Sequence, residues 1–173
     1  MSLRIQHKGA APRRQSEAVI LFTVGGHRFA IAAGAVEEIR TMDGTQALPA
    51  GPGARLSKVK RVLEREQREY YVVDANAHFH IRASQATRVL LLRRSSTAVS
   101  VDGIERMTEI EALLSLPRAF QGDERRWYRG LALVDEQVVP VVNAGSFLSR
   151  AELALLHGAA RPAEGKVSGA VTA

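Results

Sequence analysis

Few residues in the chain have the types and spacing of a catalytic or metal site. His78 and His80 flank Phe79, so in a strand they would share one face, as two metal ligands can. No third ligand accompanies them, and exposed histidines at a strand end are favoured over a metal centre. Glu37 and Glu38 could suggest acid–base chemistry, but neighbouring strand residues face opposite ways, which favours a surface ion pair or a partner contact.

Other kinds of chemistry also lack their motifs. The pair Gly25-Gly26 is not followed by the Gly-Lys-Ser/Thr of a phosphate-binding loop, so it indicates a tight hairpin turn. Ser, His and Asp all occur, but nothing resembles a nucleophile elbow. The absence of cysteine excludes disulfides and thiol catalysis and favours a cytoplasmic location. We therefore expect no catalytic residue, no cofactor and no metal.

The bulk composition is that of an ordinary globular protein. Hydrophobic residues make up 46% and charged residues 24% of 173 residues, which suits one domain or two small ones sharing a core. No segment approaches the ~20 consecutive apolar residues of a membrane span. The net charge of +6 brings nucleic acid into consideration. The basic residues are spread out, mostly beside acids and without an aromatic ladder, which favours a solvated surface over nucleic-acid binding.

The chain contains an internal repeat. Val36-Glu37-Glu38-Ile39 recurs as Ile104-Glu105-Arg106-Met107, 68 positions later. Tyr71-Val72-Val73-Asp74 recurs as Pro140-Val141-Val142-Asn143, 69 positions later. Two matches at nearly one offset predict two copies of a β unit. Because each copy is only about 65 residues long, marginal for a lone barrel, we expect the copies to share an interface.

Short strands dominate the predicted elements. Apolar runs and alternation predict strands at residues 19–24, 27–31, 70–73, 88–92, 97–101, 127–134 and 137–142, with turns at 93–96 and at Asp135-Glu136. Val36 and Ile39 are expected inside, and residues 43–57 form a loop. Ser149 and Glu152 make a capping box for a closing helix that Gly158 would end. A second short helix is predicted over residues 109–114.

Several segments, in order, resemble one known family. They are Leu21-Phe22-Thr23-Val24-Gly25 with Val36-Glu37-Glu38-Ile39-Arg40, then Val99-Ser100-Val101-Asp102-Gly103-Ile104, then Tyr128-Arg129-Gly130-Leu131 running into Val139-Pro140-Val141-Val142-Asn143, and finally Phe147-Leu148-Ser149-Arg150-Ala151-Glu152 before Ala154-Leu155-Leu156. Over residues 19–156 the chain resembles CheW, the chemotaxis adaptor, and the CheW-like domain of chemotaxis histidine kinases.

The resemblance implies an all-β fold with a C-terminal helix, in which two five-stranded SH3-like barrels pack around a hydrophobic seam. The implied layout is a flexible tail at 1–17, a CheW-like domain at 18–157 and a second flexible tail at 158–173. Within the domain, barrel 1 would span about 18–86, barrel 2 about 87–148, and the closing helix 149–157.

The resemblance also implies a function, which is non-enzymatic scaffolding between chemoreceptor tips and a CheA-type histidine kinase. The kinase's regulatory domain would meet the corner formed by Val36, Glu38, Ile39 and Arg40, and a receptor or other signalling helix would lie along the seam. Alternatively, Val36 and Ile39 are core residues and Arg40 is merely solvated. The implied location is the cytoplasm, at receptor arrays on the inner face of the membrane, without membrane insertion.

One segment departs from the family pattern. The family's V-x-N-L-R-G falls on residues 62–67, where Val62 is kept but Glu64, Arg65, Glu66 and Gln67 replace Asn, Leu, Arg and Gly. The family's arginine contacts the receptor, and here a carboxylate stands in its place. The lost glycine is the residue best suited to positive φ. An inverted rim charge mainly changes partner choice and association rate, which predicts an unusual partner or an accessory pathway such as surface motility.

Three alternatives remain open at this stage. A degenerate member of the family could have lost receptor binding and compete for the kinase. A basic small barrel that binds nucleic acid would show an affinity that falls steeply with added salt. An enzyme would need a catalytic constellation converging in a pocket.

Overall fold

The computed structural model describes residues 16–159 of the chain. The predicted flexible tails fall almost entirely on residues 1–15 and 160–173, which lie outside that part. At the described ends, Glu17 already belongs to the first strand and Gly158 to the last helix.

Eleven strands form nearly half of the described part of the chain: β1 (Glu17–Val24), β2 (His27–Ala32), β3 (Val36–Thr41), β4 (Thr45–Ala47), β5 (Val59–Arg65), β6 (Arg68–Asp74), β7 (Arg88–Leu92), β8 (Thr97–Val101), β9 (Gly103–Ile110), β10 (Tyr128–Val134) and β11 (Gln137–Val142). Helices α1 (Ala75–His78) and α2 (Glu124–Trp127) are single turns, and α3 (Arg150–Ala159) is the longest described helix. Short 3-10 turns occur at Ala33–Ala35, Met42–Gly44, Pro52–Arg55 and Ala144–Ser146.

The strands form two curled sheets, and the predicted all-β fold with a closing helix is confirmed. One sheet has five strands in the order β10-β11-β2-β1-β9. The other has six strands in the order β3-β7-β8-β6-β5-β4, because the three-residue β4 joins its edge. Residues 43–57 are therefore not a plain loop, since they contain β4 and a 3-10 turn.

The internal repeat governs how the strands pair. In the six-stranded sheet Val72 of β6 lies opposite Ala98 of β8, and the two strands run parallel. In the five-stranded sheet Val141 of β11 lies opposite Ala30 of β2, again in parallel. Each parallel pair joins the last strand of one copy to the second strand of the other, so the two pairs are equivalent under the repeat.

Each sheet combines strands of both copies: β1 and β2 join β9, β10 and β11, whereas β7 and β8 join β3, β4, β5 and β6, so neither sheet corresponds to residues 18–86 or 87–148 alone. β3 belongs to the first copy but pairs with β7 of the second, and β9 of the second copy pairs with β1 of the first. After β2 and again after β8 the connection is only one to three residues long. The chain therefore turns its corner directly into the neighbouring sheet, which ties the two copies together.

The apolar runs are continuous because several strands are buried on both faces. In β1, Leu21 packs inside the five-stranded sheet while Phe22 faces the seam between the sheets. In β7, Leu91 packs inside the six-stranded sheet while Leu92 faces the same seam. Full burial of each such side chain stabilises the fold by roughly 1.5–3 kcal/mol. The expected shared interface is thus confirmed as the largest hydrophobic core.

The closing helix α3 begins as predicted. The backbone N–H of Ser149 donates to Glu152 Oε2 at 2.7 Å, and the backbone N–H of Glu152 donates to Ser149 Oγ at 3.1 Å. This is the reciprocal capping box. Gly158 does not end the helix, because α3 includes Gly158 and Ala159.

The second predicted helix, over residues 109–114, is wrong. β9 continues through Ile110, and Leu114 bridges to Leu131 of β10 with hydrogen bonds of 2.7 and 2.9 Å in the two directions. The backbone groups of this segment are satisfied by the sheet, which overrides a local helical preference. Gly130 permits the bridge, since a Cβ there would lie 2.4 Å from the Leu114 carbonyl oxygen.

Candidate functional site

The predicted kinase corner begins with a β-bulge in β3. Glu37 is the extra residue between Val36 and Glu38, which both pair with consecutive residues of β7. A bulge interrupts the alternation of side chains along a strand. Both carboxylates consequently reach Arg65 of β5, so the prediction that Glu37 and Glu38 face opposite ways is wrong, whereas the favoured surface ion pair is observed.

Arg65 connects the predicted kinase corner on β3 with the divergent β5–β6 hairpin, which were predicted as two separate contact surfaces. Its Nε lies 2.5 Å from Glu38 Oε2, its Nη1 lies 3.8 Å from Glu37 Oε1, and its Nη2 lies 3.2 Å from Glu66 Oε1. Arg40 Nε lies 3.9 Å from the other Glu38 oxygen. The corner on β3 and the divergent β5–β6 hairpin therefore form one surface, called here the charged patch: Glu37, Glu38, Arg40, Arg65, Glu66, Arg68 and Tyr70.

Tyr70 and Arg68 support the charged patch from β6. The Tyr70 hydroxyl donates to Glu37 Oε2 at 3.3 Å, and Arg68 Nη1 lies 3.7 Å from the same oxygen. The Arg68 guanidinium also lies over the Tyr70 ring, 5.2 Å from its centroid. Burial raises the pKa of Tyr70 above its ordinary value, so its hydroxyl stays protonated and remains a donor to Glu37.

The four corner candidates divide between core and surface. Val36 is 6% exposed and packs in the seam, as the core alternative holds. Ile39 is 40% exposed, so the expectation that it lies inside is wrong. The side chains of Glu38 and Arg40 are 33% and 39% exposed. The corner thus offers one apolar side chain between two charges.

The divergent segment is a tight hairpin whose tip carries a carboxylate. Val62 is half-buried against the seam cluster, Glu64 is exposed, and the Arg65 side chain is 27% exposed. The Glu66 side chain is 74% exposed at the tip. Glu66 is therefore the most exposed of the three carboxylates around Arg65, because the side chains of Glu37 and Glu38 are only 28% and 33% exposed.

The turn of that hairpin keeps the backbone conformation that glycine suits. Glu66 and Gln67 have φ values of 49° and 63°, the left-handed region that costs an L-residue about 1–2 kcal/mol. The equivalent turn of the second copy does the same, with Asp135 at 48° and Glu136 at 62°. The turn therefore carries backbone strain at Glu66 and Gln67.

A second ion cluster was missed from the sequence. Arg28 donates from Nε and Nη2 to the two oxygens of Glu105, each at 2.9 Å, and Arg28 Nη2 also reaches Asp135 at 3.1 Å. Arg106 donates to the same Asp135 oxygen at 2.7 Å, and these hydrogen bonds hold the pKa of Asp135 below its ordinary value. The repeat could have revealed this cluster, because Glu105, Arg106 and Asp135 are the counterparts of Glu37, Glu38 and Glu66.

The two histidines do not share a strand face, and the prediction of exposed strand-end histidines is wrong for His78. His78 ends α1, is 4% exposed, and its ring centroid lies 4.8–5.2 Å from three aromatic rings, those of Phe79, Trp127 and Phe147. Burial, aided by the charge of Lys58, lowers its pKa to about 4. His80 is exposed with φ 55°. Within residues 16–159, no cluster of three or more His, Cys, Asp or Glu could hold a metal ion.

Comparison with known proteins gives the class of this chain. The family model described as "CheW-like domain" matches residues 18–152, and the chain belongs to that family. Among solved structures, the fold is similar to the crystal structure of the scaffolding protein TtCheW from Thermoanaerobacter tengcongensis. The TM-score is 0.64 at 12% identity, covering 75% of this chain and 90% of that chain, which shows a shared fold. No curated protein matches.

Family membership confirms the resemblance stated from the sequence and supports a scaffolding role without catalysis. In the described part of the chain no helix has the length and apolar character to cross a membrane.

Proposed function

We propose that this chain is a CheW-type adaptor that couples a chemoreceptor, or a related signalling helix, to the regulatory domain of a CheA-type histidine kinase. The observation that carries the proposal is the family match, which spans strands of both sheets and the start of α3. The role needs no cofactor and no catalytic residue. It includes a cytoplasmic location at receptor arrays, because both proposed partners present their interacting parts there.

The proposed kinase contact is the corner on β3. β3 is an edge strand of the six-stranded sheet; Arg65 packs against its Glu37 and Glu38, while the partly exposed side chains of Ile39 and Arg40 remain available to another barrel. The partly exposed Ile39 supplies an apolar anchor, and Glu38 and Arg40 supply charges at its rim. An apolar centre with a polar rim is the usual anatomy of a protein–protein interface.

The first experiment is a binding titration against the regulatory domain of the chemotaxis-type kinase from the same genome. We expect saturable binding at micromolar concentrations, weakened by Arg40→Glu and by Ile39→Asp. Arg118→Glu is the matched control, because Arg118 is exposed and lies in the segment between the two strands of the other sheet, β9 and β10. Absence of binding, or equal weakening by the control, would contradict the proposed contact.

The proposed receptor-side contact is the tip of the β5–β6 hairpin beside the seam. Because Glu66 presents a carboxylate there, the complementary partner helix carries a basic residue at the facing position. Such a partner differs from the ordinary receptor tip, and it suits an accessory pathway such as surface motility.

A paired substitution tests this contact. Glu66→Arg together with Gln67→Gly restores the family pattern at two positions, and we expect it to strengthen binding to an ordinary receptor tip and weaken binding to the native partner. If every affinity stays unchanged, the hairpin does not select the partner. If the native chain binds the kinase but no receptor, the inverted charge of Glu66 favours the second candidate, a competitor for the kinase.

A further inference from the structure

A cavity of about 850 Å³ opens beside α1 and α2; none of its lining residues belongs to the charged patch, and no part of the proposed adaptor role uses it. Its wall is built from the Pro52–Arg55 turn and the residues after it, from α1 and α2, and from the start of α3. The volume lies within the ≈ 300–1,000 Å³ of small-molecule sites. The residues that matter for its chemistry are Arg55, Lys58, His78, Arg125, Arg126 and Trp127.

The cavity wall carries uncompensated positive charge. Of its two acidic residues, Glu152 is already engaged by Lys58 Nζ at 2.9 Å and by the backbone N–H of Ser149 at 2.7 Å. Within residues 16–159 the side chains of Arg55 and Arg126 make no ion pair or hydrogen bond, and Arg125 donates only to one backbone carbonyl at 3.4 Å. Three arginines without an ion pair therefore line the cavity together with one remaining carboxylate, Asp123.

A buried polar atom in the same wall has no partner. His78 lines the cavity, is 4% exposed, and its Nε2 is buried without a hydrogen bond among the described residues. Nε2 has almost no accessible surface, because the rings of Phe79, Trp127 and Phe147 surround it, so it is not open to a ligand in the cavity. Trp127, half-buried beside His78, and Leu56 give the wall an apolar portion.

We propose that this cavity binds a small organic phosphate of about the size of a nucleoside monophosphate. Arg55, Arg125 and Arg126 hold the phosphate, because guanidinium groups match phosphate oxygens with paired hydrogen bonds. The organic part lies against Trp127 and Leu56. This site is independent of the proposed adaptor function.

The chain provides its own reporter, since Trp127 is the one tryptophan of the sequence and lines the cavity. Adenosine monophosphate is the probe, titrated into the full chain at pH 7.5 and low salt while tryptophan fluorescence is recorded. We expect a saturable change at sub-millimolar concentration, and much weaker binding of both adenosine and inorganic phosphate. Binding of adenosine or inorganic phosphate as tight as that of the probe would overturn the proposal, as would no saturation by millimolar probe.

A matched pair of variants tests the arginines. Arg126→Gln should weaken the binding of adenosine monophosphate by about tenfold or more, the loss typical of removing one charged hydrogen-bond donor. Arg118→Gln removes an equally exposed arginine outside the cavity and should leave binding unchanged. Thermal unfolding of both variants confirms that each is folded. Equal affinity for the native chain and Arg126→Gln would overturn the assignment of the phosphate position.

Discussion

The buried His78 makes the stability of this protein depend on pH between about 6.5 and 4. No other described side chain has a comparably shifted pKa in that range. Burial lowers the pKa of His78 from 6.5 to about 4, because the charged ring would have to leave water for an aromatic environment next to Lys58. The unfolded chain therefore binds a proton at a higher pH than the folded chain. Stability is complete above pH 6.5 and falls as the pH is lowered from there toward 4.

The size of the loss follows from the two pKa values. Each unit of separation corresponds to about 1.4 kcal/mol, so the free energy of unfolding should drop by about 2 kcal/mol at pH 5 and by about 3 kcal/mol near pH 4. The lowered pKa of Glu152 acts in the same direction but only at more acidic pH. The interval from pH 7 to pH 5 thus isolates the histidine.

Urea unfolding followed at several pH values measures the effect. The matched variant is His78→Phe, which keeps an aromatic ring among Phe79, Trp127 and Phe147 but cannot be protonated. We expect the free energy of unfolding of the native chain to fall between pH 7 and pH 5, and that of the variant to stay nearly level. Parallel pH profiles for the two proteins would refute the reasoning.

Three further changes have definite expected outcomes in thermal or urea unfolding. Arg65→Ala should destabilise by about 1–3 kcal/mol, because it removes the one close partner of the buried Glu38 Oε2, whereas Arg118→Ala should have little effect. Gln67→Gly should stabilise by about 1 kcal/mol, because it removes the cost of φ 63° in the hairpin turn; a lower midpoint would contradict the strain. Gly130→Ala should destabilise by at least about 1–3 kcal/mol, because its Cβ would meet a backbone oxygen at 2.4 Å, while Gly34→Ala, in open space, should cost nothing comparable.

The strands and hairpins could be predicted because their causes are local. The apolar run of β1, the paired glycines after it and the capping box of α3 each specify a few neighbouring residues, and each lies where the sequence places it. The repeat also allowed the shared seam to be predicted, because two units of marginal size become more stable when each buries a face against the other.

The wrong predictions concern strand pairing and side-chain positions that depend on contacts between distant parts of the chain. A repeat shows that β3 and β9 are equivalent, but either could pair within its own copy, so the exchange of strands could not be predicted. The bulge at Glu37 is one extra residue that no local pattern marks, and it moves Ile39 outward. His78 was misplaced because its polar ring is buried by Trp127 of α2 and by Phe147 in the segment before α3, both of which lie far away in sequence.

The two ion clusters also suggest why the divergent hairpin has the residues it has. In neither sheet do backbone hydrogen bonds join the two edge strands, which are β3 and β4 in the six-stranded sheet and β9 and β10 in the five-stranded sheet. In the six-stranded sheet Arg65 bridges that gap from the hairpin to Glu37 and Glu38. In the five-stranded sheet Arg28 of β2 and Arg106 of β9 bridge to Asp135. Arg65 therefore closes the barrel internally and leaves Glu66 as the outward charge. The substitutions at residues 64–67 consequently affect both the closure of the six-stranded sheet and the sign of the charge offered to a partner. The paired change at Glu66 and Gln67 is expected to alter the charge but not the closure.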